Sequence, residues 1–143
     1  MKNNKLLMIM LILLVAITLV GAVALVVVLK VNGEESEHKE PSIEEVLEAS
    51  VDVPEITTNL AGNDFIKISF KIETDSKKAK EELEKRDFQV KNIIIQELSE
   101  RESEELQGKD GKISLEETLK EKINSLMQEG KVKKVYITQS LLQ

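Results

Sequence analysis

An α+β chain is predicted, with one N-terminal transmembrane helix ahead of a small β-β-α-α-β domain outside the cytoplasm. Three observations carry that prediction. Leu6 to Leu29 runs 24 residues without a charge. Ile66, Ile68, Phe70 and Ile72 alternate strictly with Lys67, Ser69, Lys71 and Glu73, the period of a half-buried antiparallel strand. Between that strand and a second β-rich stretch at the C-terminus, the apolar residues recur at helical spacing.

The apolar run is long enough to cross a bilayer. As a helix it rises roughly 36 Å, against a hydrocarbon core of about 30 Å. Lys2 and Lys5 flank its N-terminal side, and Lys30 is the basic residue immediately after it. The positive-inside rule therefore keeps residues 1–5 in the cytoplasm and places everything after the span at 6–29 outside. Ala22-Val23-Ala24 has the form of a signal-peptidase site, and cleavage after Ala24 would release a secreted protein. The apolar continuation through Leu25-Val26-Val27-Val28-Leu29 favours an uncleaved anchor in the cytoplasmic membrane. Gly21, Ala22 and Ala24 add a small-residue face on which other transmembrane helices can pack.

Residues 30–52 read as an acidic tether ending in a short helix. His38 lies within it as a solvent-exposed side chain, and Ser42 with Glu45 has the capping-box spacing for a helix through about Ala49. The folded domain is expected over 53–143. Ile56, Thr58 and Leu60 share one face of a first strand, with Pro54 near its start, and Ala61-Gly62-Asn63-Asp64 supplies the turn into the second.

Residues 76–100 read as one helix capped by Ser76, burying Ala79, Leu83, Val90, Ile94 and Leu98, with Ile93 widening the stripe. Phe88 and Ile95, seven residues apart, lie to one side as core or as a protein contact. The acidic stretch around 99–106 reads as a short helix or turn. Ser114 with Glu117 then suggests a capping box for a last helix through Leu115, Leu119, Ile123 and Leu126, closed by Gly130. From Lys131 on, Val135, Ile137 and Leu141 alternate with Tyr136, Thr138 and Leu142 in a strand that joins the hairpin and leaves the helices on one face. Glu81 with Lys85 and Glu116 with Lys120 have the spacing of helix-surface ion pairs.

The totals exclude several functions. Two of the 20 basic residues and none of the 26 acidic ones precede Lys30, so the rest of the chain carries a formal charge of −8. That balance argues against nucleic acid as a partner. There is no cysteine, hence no disulfide, thiolate nucleophile or cysteine-bound metal. Asp110-Gly111-Lys112-Ile113-Ser114-Leu115-Glu116-Glu117 imitates the second half of a calcium loop. Its first and third ligand positions fall on Leu106 and Gly108, which offer no side-chain oxygen. No catalytic constellation is visible, and no cofactor or metal site is assigned.

In order and spacing, the chain resembles the flagellar basal-body-associated FliL family over nearly its whole length. The matching features are the N-terminal span, the polar tether and the strand pair at 56–61 and 65–72. The aliphatic block Ile93-Ile94-Ile95-Gln96-Glu97-Leu98-Ser99 and the Glu-Glu-Leu turn at 104–106 follow. The end carries Ile123-Asn124, then Gly130-Lys131-Val132-Lys133-Lys134-Val135-Tyr136-Ile137-Thr138, and Gln143.

The resemblance implies a stomatin-like domain that assembles into rings at the flagellar motor. It also implies association with the stator, motility proteins A and B, in support of torque generation, flagellar rotation, swimming, swarming and chemotaxis. It supplies no catalytic residue. Ring closure needs head-to-tail surfaces on one domain, for which Phe88, Ile95 and a sheet edge are the candidates. The alternatives are a membrane-anchored adaptor or assembly factor for another envelope complex, a secreted protein and, more remotely, an enzyme.

Overall fold

The computed structural model describes residues 2–33 and 39–143. His38 and the acidic tether residues 34–37 lie outside the described residues. The chain divides into two compact units, residues 1–40 and 41–143.

The first unit contains helix α1, Lys2–Gly33, which extends the expected span at both ends. Within Asn4–Lys30 an 18-residue window has a mean hydropathy of 3.2, and none of that window is buried. Thr18 turns its hydroxyl back to the carbonyls of Leu14 and Val15, at 3.1 and 2.9 Å, so the one polar side chain in mid-helix is satisfied by its own helix.

In the second unit the elements run α2 (Ile43–Glu48), β1 (Ser50–Asn59), β2 (Phe65–Thr74), α3 (Lys77–Lys85), α4 (Asp87–Ser99), a 3-10 turn (Ser103–Leu106), α5 (Gly108–Asn124) and β3 (Val132–Leu142). The strands form one antiparallel sheet in the order β1-β2-β3. The expected short helix is α2, with both bonds of the Ser42–Glu45 capping box formed. Ser76 caps α3 by accepting the Ala79 N–H.

The inner sheet face carries Val53, Ile56, Ile66, Ile68, Phe70, Ile72, Val132 and Val135, all buried. Leu83 of α3, Val90, Ile94 and Leu98 of α4, and Leu115, Leu119 and Ile123 of α5 close over it in one cluster. Burying a side chain such as Phe70 stabilises the fold by about 1.5–3 kcal/mol. The outer face is polar and paired. Lys71 bonds Asp52 at 3.0 Å, and the Tyr136 hydroxyl donates to Oε2 of Glu73 at 3.0 Å. Burial first, and then the bond to the Glu73 carboxylate, hold the Tyr136 phenol protonated above its ordinary range.

Several expectations are corrected. The single helix over 76–100 is two, α3 and α4, because Arg86 leaves the helical region at φ −92°, ψ 13°. The expected β-β-α-α-β order therefore gains a helix. Pro54 is not at the start of β1 but inside it, where the pairing register slips between Val53 and Ile56 on an edge strand that tolerates a missing donor.

Helix α5 begins at Gly108, so Ser114 is interior and caps nothing, and the segment imitating a calcium loop is helical. That early start needs Gly111, whose missing Cβ would lie on the Glu105 carbonyl of the 3-10 turn. The same helix ends at Asn124, so Gly130 is not its C-cap. It occupies the turn into β3 at φ +128°, and an added Cβ would sit 2.5 Å from Oδ1 of Asp75.

The C-terminal strand also departs from simple alternation. Ser69 pairs with Gln139 but Phe70 pairs with Ile137, leaving Thr138 bulged. One extra residue swaps the faces beyond it. Leu142 consequently packs on the core, whereas Leu141, expected inside, is 47% exposed.

Candidate interaction surface

The helix layer holds itself together through carboxylates that satisfy their neighbours, which separates packing residues from those free to meet a partner. Glu97 of α4 is buried and takes two cations. Arg101 donates to Oε1 at 2.9 Å, and Lys122 of α5 donates to Oε2 at 2.6 Å. Arg101 also reaches the Thr118 hydroxyl at 3.2 Å, and its carbonyl accepts the Ala61 N–H of the hairpin loop at 2.9 Å. Burial alone would raise the Glu97 pKa, but the bonds from Lys122 and Arg101 outweigh it and hold the carboxyl below the ordinary 4.5. The bond to Glu97 raises the Lys122 ammonium correspondingly.

A second clamp lies at the α3–α4 junction. Glu82 accepts the backbone N–H groups of Gln128 and Glu129, at 3.0 and 2.6 Å to Oε2, and the Arg86 Nε–H at 2.8 Å to Oε1. Burial opposes ionisation here too, and these donors overcome it, lowering the Glu82 pKa. The carboxylate thus ties α3 to the turn after α5, 46 residues away in sequence.

These pairs were not those expected. Glu82 with Arg86 and Glu97 with Arg101 form, while Lys120 meets Glu117 at 3.7 Å. Glu116 instead accepts the Ile137 N–H at 2.9 Å. Only tertiary placement decides which of many acids on a helix finds a buried cation, so nothing in the sequence distinguishes Glu82 and Glu97 from their neighbours.

Phe88 and Ile95 are exposed on α4, at 71% and 41%. Separated by two turns, they lie on one side of the helix, with Val90, Ile94 and Leu98 buried beneath. Phe88 also walls a shallow groove with Gln89, Asn92, Ile93 and Leu126. Leu126, expected in the core stripe, follows the end of α5 and is half-buried. The structure brings it beside Phe88, a neighbour that helical spacing could not supply. Gly21, Ala22 and Ala24 lie exposed along α1, in the other compact unit, and a Cβ on Gly21 would meet nothing within 4 Å. Among the described residues, no group of three or more His, Cys, Asp or Glu side chains is arranged to hold a metal ion.

The family described as flagellar basal body-associated protein FliL matches residues 50–143, from the start of β1 to the last residue. The chain belongs to the FliL family. It is 53% identical over 112 residues to the flagellar protein FliL of Bacillus subtilis (strain 168), covering 78% of this chain and 79% of that protein. It is 28% identical over 93 residues to the flagellar protein FliL of Aquifex aeolicus (strain VF5), covering 63% of this chain and 58% of that protein. The FliL match spans the sheet, both carboxylate clamps and Phe88, while α1 precedes it. FliL is a flagellar accessory family, and the apolar α1 fits a single-pass membrane protein.

Proposed function

We propose that this FliL-family chain is a non-enzymatic accessory of the flagellar motor that oligomerises around the stator, motility proteins A and B, and supports torque generation, swimming and swarming. In this reading α1 spans the cytoplasmic membrane with Lys2 and Lys5 inside, and residues 41–143 work outside. The observation that carries it is the family membership of the folded domain combined with an exposed Phe88 on an otherwise well-satisfied helix layer.

The physical logic is one of concentration. Anchoring holds copies of the domain in two dimensions, so weak contacts through Phe88 and Ile95 suffice once the partners share a membrane. Gly21, Ala22 and Ala24 give α1 a face that closely approaching transmembrane helices can use.

Crosslinking in native membranes tests this reading. The chain has no cysteine, so Phe88→Cys, Ile95→Cys and Thr138→Cys each report one position. Self-adducts or adducts with motility protein A or B at Phe88 and Ile95 are expected. Monomeric, stator-free protein at all three positions would count against it. Adducts with a different envelope complex would support the adaptor reading instead.

A further inference from the structure

We infer that the distal edge of β3, residues 139–141 beyond the bulge, pairs antiparallel with the same edge of a second copy. The inference rests on the self-association proposed above and specifies one contact within it.

Hydrogen-bond alternation shows which backbone groups face outward. Phe65 and Gln143 exchange both of their bonds, at 2.9 and 2.8 Å, so Leu141 and Gln139 also turn their N–H and C=O toward β2. Ser140 and Leu142 therefore point theirs away from the sheet. Before the bulge the outward groups are Val132, Val135 and Ile137, and α5 runs beside them. Asn124 takes both backbone groups of Val132, at 2.7 and 3.0 Å, and Glu116 takes the Ile137 N–H at 2.9 Å. Among the described residues, no side chain bonds the backbone of Ser140 or Leu142.

Natural sheets close their edges with proline, bulges, charges or a covering element. The β1 edge has Pro54, a register slip, Asp52 and Glu55. The proximal half of β3 has Lys133, Lys134 and the α5 side chains. Tyr136 to Gln143 contains no charged side chain and no proline, and the bulge at Thr138 lies before the open groups rather than among them.

These features also select the occupant. Head-to-tail pairing of β3 onto another copy's β1 would meet Pro54 and the slipped register. Pairing β3 on β3, centred on Ser140, sets Gln139 opposite Leu141 in each copy and keeps Lys133 and Lys134 outside the overlap. Two three-residue strands form a small interface, below that of stable soluble complexes, so the contact needs the concentration that membrane anchoring supplies. The contact is isologous and yields a pair; a larger assembly also uses the Phe88 face.

The test uses the full chain in membranes with Ser140→Cys as reporter and Thr57→Cys, on the β1 edge, as control. Oxidation should give a dimer adduct at least five times more abundant at 140 than at 57. Adding Gln139→Lys and Leu141→Lys, both at exposed side chains, places like charges opposite each other and should abolish the adduct. Gln139→Glu with Leu141→Glu should do the same, and co-expressing the lysine and glutamate forms should restore it. An adduct at 140 no stronger than at 57, or one indifferent to these charges, overturns the inference. If Phe88→Cys still crosslinks in that case, self-association survives without this contact. If position 88 is silent as well, both readings fall.

Discussion

Lys122 Nζ lies 2.6 Å from Oε2 of Glu97, and this bond joins α5 to α4 at the boundary of the core. Arg101 completes the arrangement from the other carboxylate oxygen and carries it on to the hairpin loop through the Ala61 N–H. One buried carboxylate thus organises contacts among two helices and the β1–β2 turn.

Glu97→Ala should destabilise the domain by roughly 2 kcal/mol, below the 3–5 kcal/mol typical of breaking a fully buried pair, because Lys122 retains access to water. Thermal or denaturant unfolding of the variant checks the value. Glu97→Gln should also flatten the acid limb of the stability curve. The folded pKa lies below the ordinary 4.5, so in that window the unfolded state binds more protons than the folded state. The contribution is therefore complete above about pH 4.5 and is lost as the pH falls through the folded value. Unchanged acid unfolding in Glu97→Gln would contradict this.

Glu82→Ala should release the turn after α5 without unfolding the core. The carboxylate satisfies the Gln128 and Glu129 N–H groups directly. Hydrogen exchange at those two amides should accelerate while Ile94 and Leu119 amides stay protected.

Gly130→Ala should cost about 1–3 kcal/mol, since its φ of +128° is strained for any side chain and a Cβ would collide with Asp75 and Ala79. The unfolding midpoint should fall accordingly, whereas Gly21→Ala, where a Cβ meets open space, leaves α1 helical by circular dichroism.

Phe88→Ser should change domain stability by no more than about 0.5 kcal/mol, because the ring is largely exposed. Ile94→Ala, six residues away on the buried side, should cost about 2–5 kcal/mol. That contrast separates a residue that packing does not require from one that it does.

The sheet was legible from the alternation of Ile66 to Ile72 because each odd step is polar and each even step apolar. The buried sides of α3 and α4 were legible from Ala79, Leu83, Val90, Ile94 and Leu98 for the same periodic reason. What stayed hidden depended on single backbone events. Arg86 breaks a helix whose apolar spacing continues across the break, and the bulge at Thr138 exchanges Leu141 for Leu142. The Ser114–Glu117 pattern is a valid cap only if the helix starts there, and the Gly111 contact with Glu105 lets it start at Gly108. Of the interaction surface, Phe88 and Ile95 could be picked out by position, but Leu126 beside Phe88 could not. The Glu97 clamp was only half visible, because Arg101 lies one helical turn on but its second cation, Lys122 on α5, lies 25 residues away.

Motility of cells lacking this chain tests the central claim most directly. Deletion followed by complementation should show swimming and swarming under load reduced without the chain, restored by the wild type, and not restored by stably expressed Phe88→Ser/Ile95→Ser. Deletion cells that swim and swarm normally under load would contradict the account.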